Sequence, residues 1–196
     1  MAWITLDVAL EGLGNAHETS ATLHATCKRV LKEADSVGNP LAKDGSNDGR
    51  AFHLTMLEHG DTEADAVRKM LAARTHPAPY NATANGFKAI QVDEKYGVIV
   101  LSLDCEPLQD LHAVLRAEAR RVSGAEPAGN PHLGPHGEHC HKHDFHPHVT
   151  LGSYSNMEAM RRDYTELVLS GTACELGWTR PGGPPRTATL SNWRIY

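Results

Sequence analysis

Two short runs carry side chains suited to proton transfer and anion binding: His53-Leu54-Thr55-Met56 and His148-Val149-Thr150-Leu151. Each reads histidine, apolar residue, threonine, apolar residue. In a strand, alternate side chains share a face, so each His and its Thr point one way while Leu54 and Val149 point the other. Two such strands side by side put two imidazoles and two hydroxyls on one surface. Near neutral pH one imidazole can take a proton from an attacking water or hydroxyl, and an imidazolium can give one to a leaving oxygen. The threonine hydroxyls can donate to the non-bridging oxygens of a phosphate. That set handles a phosphodiester without a divalent ion. One copy alone has a plainer reading, a histidine satisfied by backbone bonds in a β-rich chain. Two copies in similar apolar settings are far more specific.

The elements that must position these residues follow from periodicity. Ala2 to Leu10 alternates as a strand, with Trp3, Thr5 and Asp7 on one side and Ile4, Leu6 and Val8 on the other. A helix is expected from about Glu18 to Ala34 on the stripe Leu23, Cys27, Val30, Leu31. Residues 38 to 50 form a polar, turn-rich connector. The first motif then sits on a strand from Ala51 to Leu57, and a helix follows from about Thr62. Strands are expected from Gly86 to Val92 and from Gly97 to Leu103, the second covered on both faces. Pro107 opens a helix with the stripe Leu108, Leu111, Val114, Leu115 and Val122. The second motif strand leads into a helix with Ser155 and Glu158 as a capping box. Thr172 to Trp178 and Thr187 to Ile195 complete the strands. Each motif strand therefore feeds a helix, in two similar half-chains, which points to two lobes about a pseudo-twofold with a groove between them.

Composition narrows the class. The chain has 196 residues, 40% hydrophobic and 22% charged, as expected of one globular domain. No apolar run approaches a membrane span, and the first residues lack the form of a secretory signal. Cys27, Cys105, Cys140 and Cys174 show no repeated spacing and read as mostly reduced thiols, so a cytoplasmic protein is expected. A net charge of -5 argues against binding duplex DNA, though not against a nucleotide or a short RNA. A monomer is expected.

Seven of the 13 histidines (132, 136, 139, 141, 143, 146 and 148) lie close together, most of them in a Gly- and Pro-rich loop at about 123–146. With Cys140 and Asp144 they offer zinc or nickel ligands, but in no strong signature, and such a loop loses much entropy on closing round a metal. No metal site is assigned, and a flap over the groove is the other reading. Arg50, Lys88, Arg161 and Arg162 could meet phosphates, with a solvated surface role as the commoner alternative.

On its two motif strands the chain resembles the 2H phosphoesterase superfamily, also called LigT-like or 2′-5′ RNA ligase-like proteins, whose hallmark is a pair of His-x-Thr/Ser-x motifs. The separation here, 148 minus 53, is 95 residues, slightly long for that family, and the His-rich loop accounts for the surplus. The resemblance implies an α+β fold of two pseudo-symmetric α/β lobes with mainly antiparallel sheets around a central cleft, as a single domain over residues 1–196. It implies a hydrolase, a phosphodiesterase without cofactor that opens nucleotide or RNA-derived cyclic phosphates or cleaves 2′-5′ linkages. His53 and His148 would be the acid-base pair and Thr55 and Thr150 the phosphate ligands. Degradation of cyclic oligonucleotide signals, RNA ligation and non-catalytic binding of a nucleotide or RNA end are the alternatives. Tyr154 and Trp3 are candidate substrate contacts that could stack on a base, as are Phe145 and Phe52, each equally suited to the core.

Overall fold

Antiparallel pairing dominates the molecule. The computed structural model describes residues 2–10, 16–38, 52–59, 69, 79–123, 145–169 and 186–195. Most of the connector at 39–50, the expected helix from Thr62 (Lys69 aside), the His-rich loop at 124–144 and the expected strand at 172–178 lie outside the described residues. The elements are β1 (Ala2–Leu10), α1 (Ala16–Val30), β2 (Ser36–Val37), β3 (Phe52–His59), β4 (Tyr80–Gln91), β5 (Gly97–Asp104), α2 (Glu106–Ser123), β6 (His148–Tyr154), α3 (Met157–Leu169) and β7 (Arg186–Ile195).

The seven strands form one sheet in the order β2-β6-β3-β1-β7-β4-β5, with β5 also paired to β6. Six of them therefore close a ring: β3, β1, β7, β4, β5, β6 and back to β3. Within it, β1 and β3 of the first half-chain pair with each other, as β5 and β6 of the second do. The last strand of each half goes to the other half. β4 pairs with β5, and β7 returns to β1. The ring is joined on one side by β4 against β7, and on the other by a single bridge between β3 and β6. This is an α+β arrangement with a pseudo-twofold exchange of strands.

Alternation assigns the two faces. Leu6, Val8, Phe52, Leu54, Ile99, Leu101, Val149, Leu151 and Leu190 belong to one core with Leu23, Cys27 and Leu31 of α1, Leu108, Leu111 and Leu115 of α2, and Met160 and Leu167 of α3. All three described helices pack on that face. A ring of six strands has no room for helices inside, so this is the outer face. Leu23, Cys27 and Val30 of α1, Leu31 just after it, and Leu108, Leu111 and Leu115 of α2 face inward as expected, whereas Val114 is half-buried and the side chain of Val122 lies outside the described residues. The other face of β5 carries Val98 and Val100, which with Val92 form a separate small cluster, so β5 is covered on both sides as expected.

Two local expectations are corrected. The first cap of α3 is Asn156, whose Oδ1 accepts from the backbone N–H of Glu158 and of Ala159 at 3.0 and 3.1 Å. Ser155 instead turns to Asp35, its hydroxyl donating to Oδ1 at 3.1 Å. α1 ends at Val30 rather than Ala34 because the chain then turns to add β2, with Ser36 and Val37 opposite Ser153 and Gly152. Gly38, at φ 80°, supplies the left-handed residue that ends this short strand.

Leu54 is fully buried at the bridge that closes the ring. Leu54→Ala should cost about 2–5 kcal/mol in a urea unfolding experiment, the range for a deleted core leucine. A loss under 1 kcal/mol would show that the seam does not hold the two half-sheets together.

Candidate active site

The seam is also where the two motifs meet. The bridge pairs Leu54 with Val149, the second residue of each motif. Continuing that antiparallel register sets His53 level with Thr150 and Thr55 level with His148. Leu54 and Val149 point to the helices, so the four polar side chains share the inner face in a two-by-two array, histidines on one diagonal and threonines on the other. The equivalence of Leu54 and Val149 puts the pseudo-twofold through this array.

The neighbouring strands extend it. Asp7 of β1 lies opposite His53, and Thr5 lies opposite Thr55. Beyond them on β7, Ser191 pairs with Asp7. On the other half, Ser102 of β5 lies opposite His148 and Val100 opposite Thr150. Gly86 and Lys88 of β4 follow in the same rows. The halves match position by position but differ in chemistry: a carboxylate is level with His53 and a hydroxyl with His148. A β-bulge at Gly86, whose φ is 96°, lets β4 hold this register against β5.

His53 and His148 are both buried, and Thr55 and Thr150 half-buried. Burial, and then the positive charge of a nearby protonated His148, push His53 down to about 4. Its ring is neutral at physiological pH. His53 Nδ1 and the hydroxyl of Thr5 are buried without a hydrogen-bond partner among the described residues. His148 is held differently: its Nδ1 lies 2.9 Å from the carbonyl oxygen of His146. A carbonyl only accepts, so Nδ1 carries the proton and Nε2 is the unprotonated nitrogen of the neutral ring.

Of the other candidates, Tyr154 is not at the site. The register shift between Ile99 and Val100 turns the end of β6 over, so Tyr154 is fully buried on the helix side. Its hydroxyl donates to Asp163 Oδ2 at 3.0 Å. A substrate cannot stack there. Trp3 is on β1 opposite Glu58, and its side chain lies outside the described residues. Phe52 and Phe145 are core residues. Arg161 donates to Gln91 and Arg162 pairs with Glu33, both on the outer side of α3, where a shallow groove lies on the far side of the sheet from the motifs. Lys88 is exposed in the Thr150 row, and Arg50 lies outside the described residues. Cys27 and Cys105 are buried free thiols, Cys27 pushed up to about 12 by burial, which makes it inert as a nucleophile. Among the described residues no cluster of His, Cys, Asp or Glu could hold a metal ion, and no helix is long and apolar enough to cross a membrane.

Sequence reasoning missed Asp7, Thr5 and Ser102 as residues lining the array. The signal was present. Thr5 and Asp7 stand on the polar side of β1, and Ser102 is the one hydroxyl in the apolar run Val98 to Leu103.

A family model described as the 2′-5′ RNA ligase superfamily matches residues 40–179, which include both motifs. Among solved structures, Usb1 of Kluyveromyces marxianus is similar with a TM-score of 0.51 at 12% identity, covering 98% of this chain and 93% of that one. That likeness is one of fold. The same Usb1 with uridine monophosphate gives a TM-score of 0.47 at 12% identity, covering 98% and 93%. Escherichia coli LigT complexed with NADP+ gives 0.39 at 20% identity, covering 97% and 85%. No curated protein matches.

Burial of neutral His53 has a consequence for stability. The unfolded histidine titrates near 6.5, and the folded one near 4. Its contribution is fully present above pH 6.5 and is lost as pH falls toward 4, because the unfolded chain takes up a proton that the folded one refuses. Thermal melts from pH 8 to 4 should show this decline, and His53→Gln should flatten it. An unchanged slope in that variant would refute the assignment.

Proposed function

This chain belongs to the 2′-5′ RNA ligase superfamily, and from that premise we propose that it is a metal-independent phosphodiesterase. Its substrate is a nucleotide or RNA-derived 2′,3′-cyclic phosphate, or a 2′-5′ linkage. The observation that carries this reading is the Leu54–Val149 bridge, which supports placing both His-x-Thr motifs on one face in reciprocal register. A diester phosphate has two non-bridging oxygens, and two threonine hydroxyls on one diagonal suit them. The histidines on the other diagonal then flank the phosphorus on the attacking and leaving sides.

The asymmetry between the rings suggests their roles. His53, neutral down to about pH 4, acts as the base that takes a proton from the attacking water. His148 acts as the acid. Its Nδ1–H is already committed to the His146 carbonyl, a bond that favours the imidazolium and leaves Nε2–H to donate. Water attacks phosphorus, the bond to one ribose oxygen breaks, and the proton from His148 goes to that oxygen. His53 ends protonated and His148 neutral, so a proton exchange with solvent resets the pair. No step in this route requires a metal ion or cofactor.

Kinetics on a panel of 2′,3′-cyclic nucleotides, 2′-5′ oligoadenylate and cyclic oligonucleotides tests the proposal. His53→Ala and His148→Ala should each lower kcat about a thousandfold, within the range for a lost acid or base. Thr55→Ala or Thr150→Ala should lower it about a hundredfold. Wild-type rates in either histidine variant would end the assignment. Affinity for these ligands without any product would identify a binding module instead. Activity should persist in EDTA, and zinc-dependent recovery after chelation would contradict the metal-free route.

The roles are tested by pH. With His53 as base, kcat/KM on the acid side should hold well below pH 6.5 and fall only near pH 4. A rate that climbs as pH drops toward 4 would make His53 the acid.

A further inference from the structure

The segment entering β6 is unusually well anchored for a chain leaving a long loop. Phe145 is almost fully buried, and its ring stacks on His112 of α2 with centroids 4.0 Å apart and planes 7° from parallel. His146 carries the carbonyl that receives Nδ1–H of His148. Pro147 presents its carbonyl to the backbone N–H of Leu103 at 2.8 Å. The three residues before His148 are thus fixed in turn by a ring, an imidazole and a strand. The ring contact is the one made by a helix, outside the sheet ladder.

His112 itself is an odd choice for that place. It is 5% exposed, among Leu108, Leu111 and Leu115, and its Nδ1 is buried without a partner among the described residues. An apolar side chain would fill this part of the core at lower cost. What a small aliphatic residue cannot supply is a flat ring parallel to Phe145.

We propose that His112 is a positioning residue for His148: by stacking on Phe145 it holds residues 145–147 so that the His146 carbonyl keeps the His148 ring in its Nδ1–H form. This rests on the reading of His148 as a reacting group only for its kinetic consequence. The structural consequence, the tautomer of His148, is independent of any substrate. Phe145 lies three residues from His148, so a slip of the Phe145 ring displaces the His146 carbonyl between them. A histidine without that acceptor divides between two tautomers, and part of the population then presents the wrong nitrogen to the inner face.

Imidazole nitrogen NMR on the full chain, at a pH high enough that the His148 ring is neutral, tests this directly. Wild-type His148 should show one tautomer, protonated at Nδ1. His112→Ala should give a mixture, and kcat on any substrate turned over should fall about 10- to 100-fold with KM little changed, the cost of a misplaced group. His112→Phe, which keeps a ring and removes the unpartnered nitrogen, should restore the single tautomer and be at least as stable as wild type. Phe145→Leu should behave as His112→Ala does. A single Nδ1–H tautomer in folded His112→Ala and Phe145→Leu would overturn the proposal, as would a mixture in wild type. If His112→Ala does not fold, Phe145→Leu and His112→Phe decide the matter. Were the wild type inactive on the whole panel, the phosphodiesterase reading would fall while the tautomer result still decided this one.

Discussion

One backbone bridge governs the geometry of the molecule. Leu54 pairs with Val149, and because these are the same position in two copies of one motif, everything else about the array follows from antiparallel register. The histidines fall on one diagonal, the threonines on the other, and the apolar residues between them point into the helix-packed core. The side chains that could do chemistry and those that hold the seam shut are alternate residues of the same strands. A one-residue slip of either strand at the bridge would send that strand's histidine into the core and its aliphatic residue to the inner face. The fully buried Leu54 and nearly buried Val149 make such a slip costly.

The two halves are alike in backbone and unlike in environment. Level with His53 stands Asp7, and level with His148 stands Ser102. One ring nitrogen has a backbone carbonyl and the equivalent nitrogen of the other ring has no partner among the described residues. Identical sites related by a twofold would titrate alike. The acid and base roles proposed for the two histidines require a difference, and that difference comes from what each half places around a shared motif.

How much of this was legible in the sequence depended on range. The motifs, the alternation of β1, the apolar runs of β3 and β5, and the core-facing Leu23, Cys27, Leu108, Leu111 and Leu115 of the helices follow from local pattern, and these lie where that pattern puts them. Their order pointed to two similar halves, and the antiparallel α+β arrangement was implied by the resemblance of the two motifs. What local pattern could not supply was register over long separations. Tyr154 reads as a neighbour of the second motif on the same strand, yet the irregularity opposite Ile99 and Val100 turns it into the core to bond Asp163. Ser155 reads as a helix cap, yet Asp35, far back in the chain, takes it and leaves the cap to Asn156. β2 is two residues long and exists only because β6 offers an edge. The exchange of β4 and β7 between the halves has no local signature at all.

That exchange has a bearing on how the molecule comes into being. β1 precedes the other described strands in the chain, but one of its two edges belongs to β7, which begins at Arg186. At about 5–20 residues per second, a ribosome needs roughly 10–35 s to travel from the end of β1 to the start of β7. Throughout that interval the strand that flanks the first motif has an open edge, and the ring cannot close. The paired histidines are therefore among the last features of the nascent chain to be secured, although the first of them is made early.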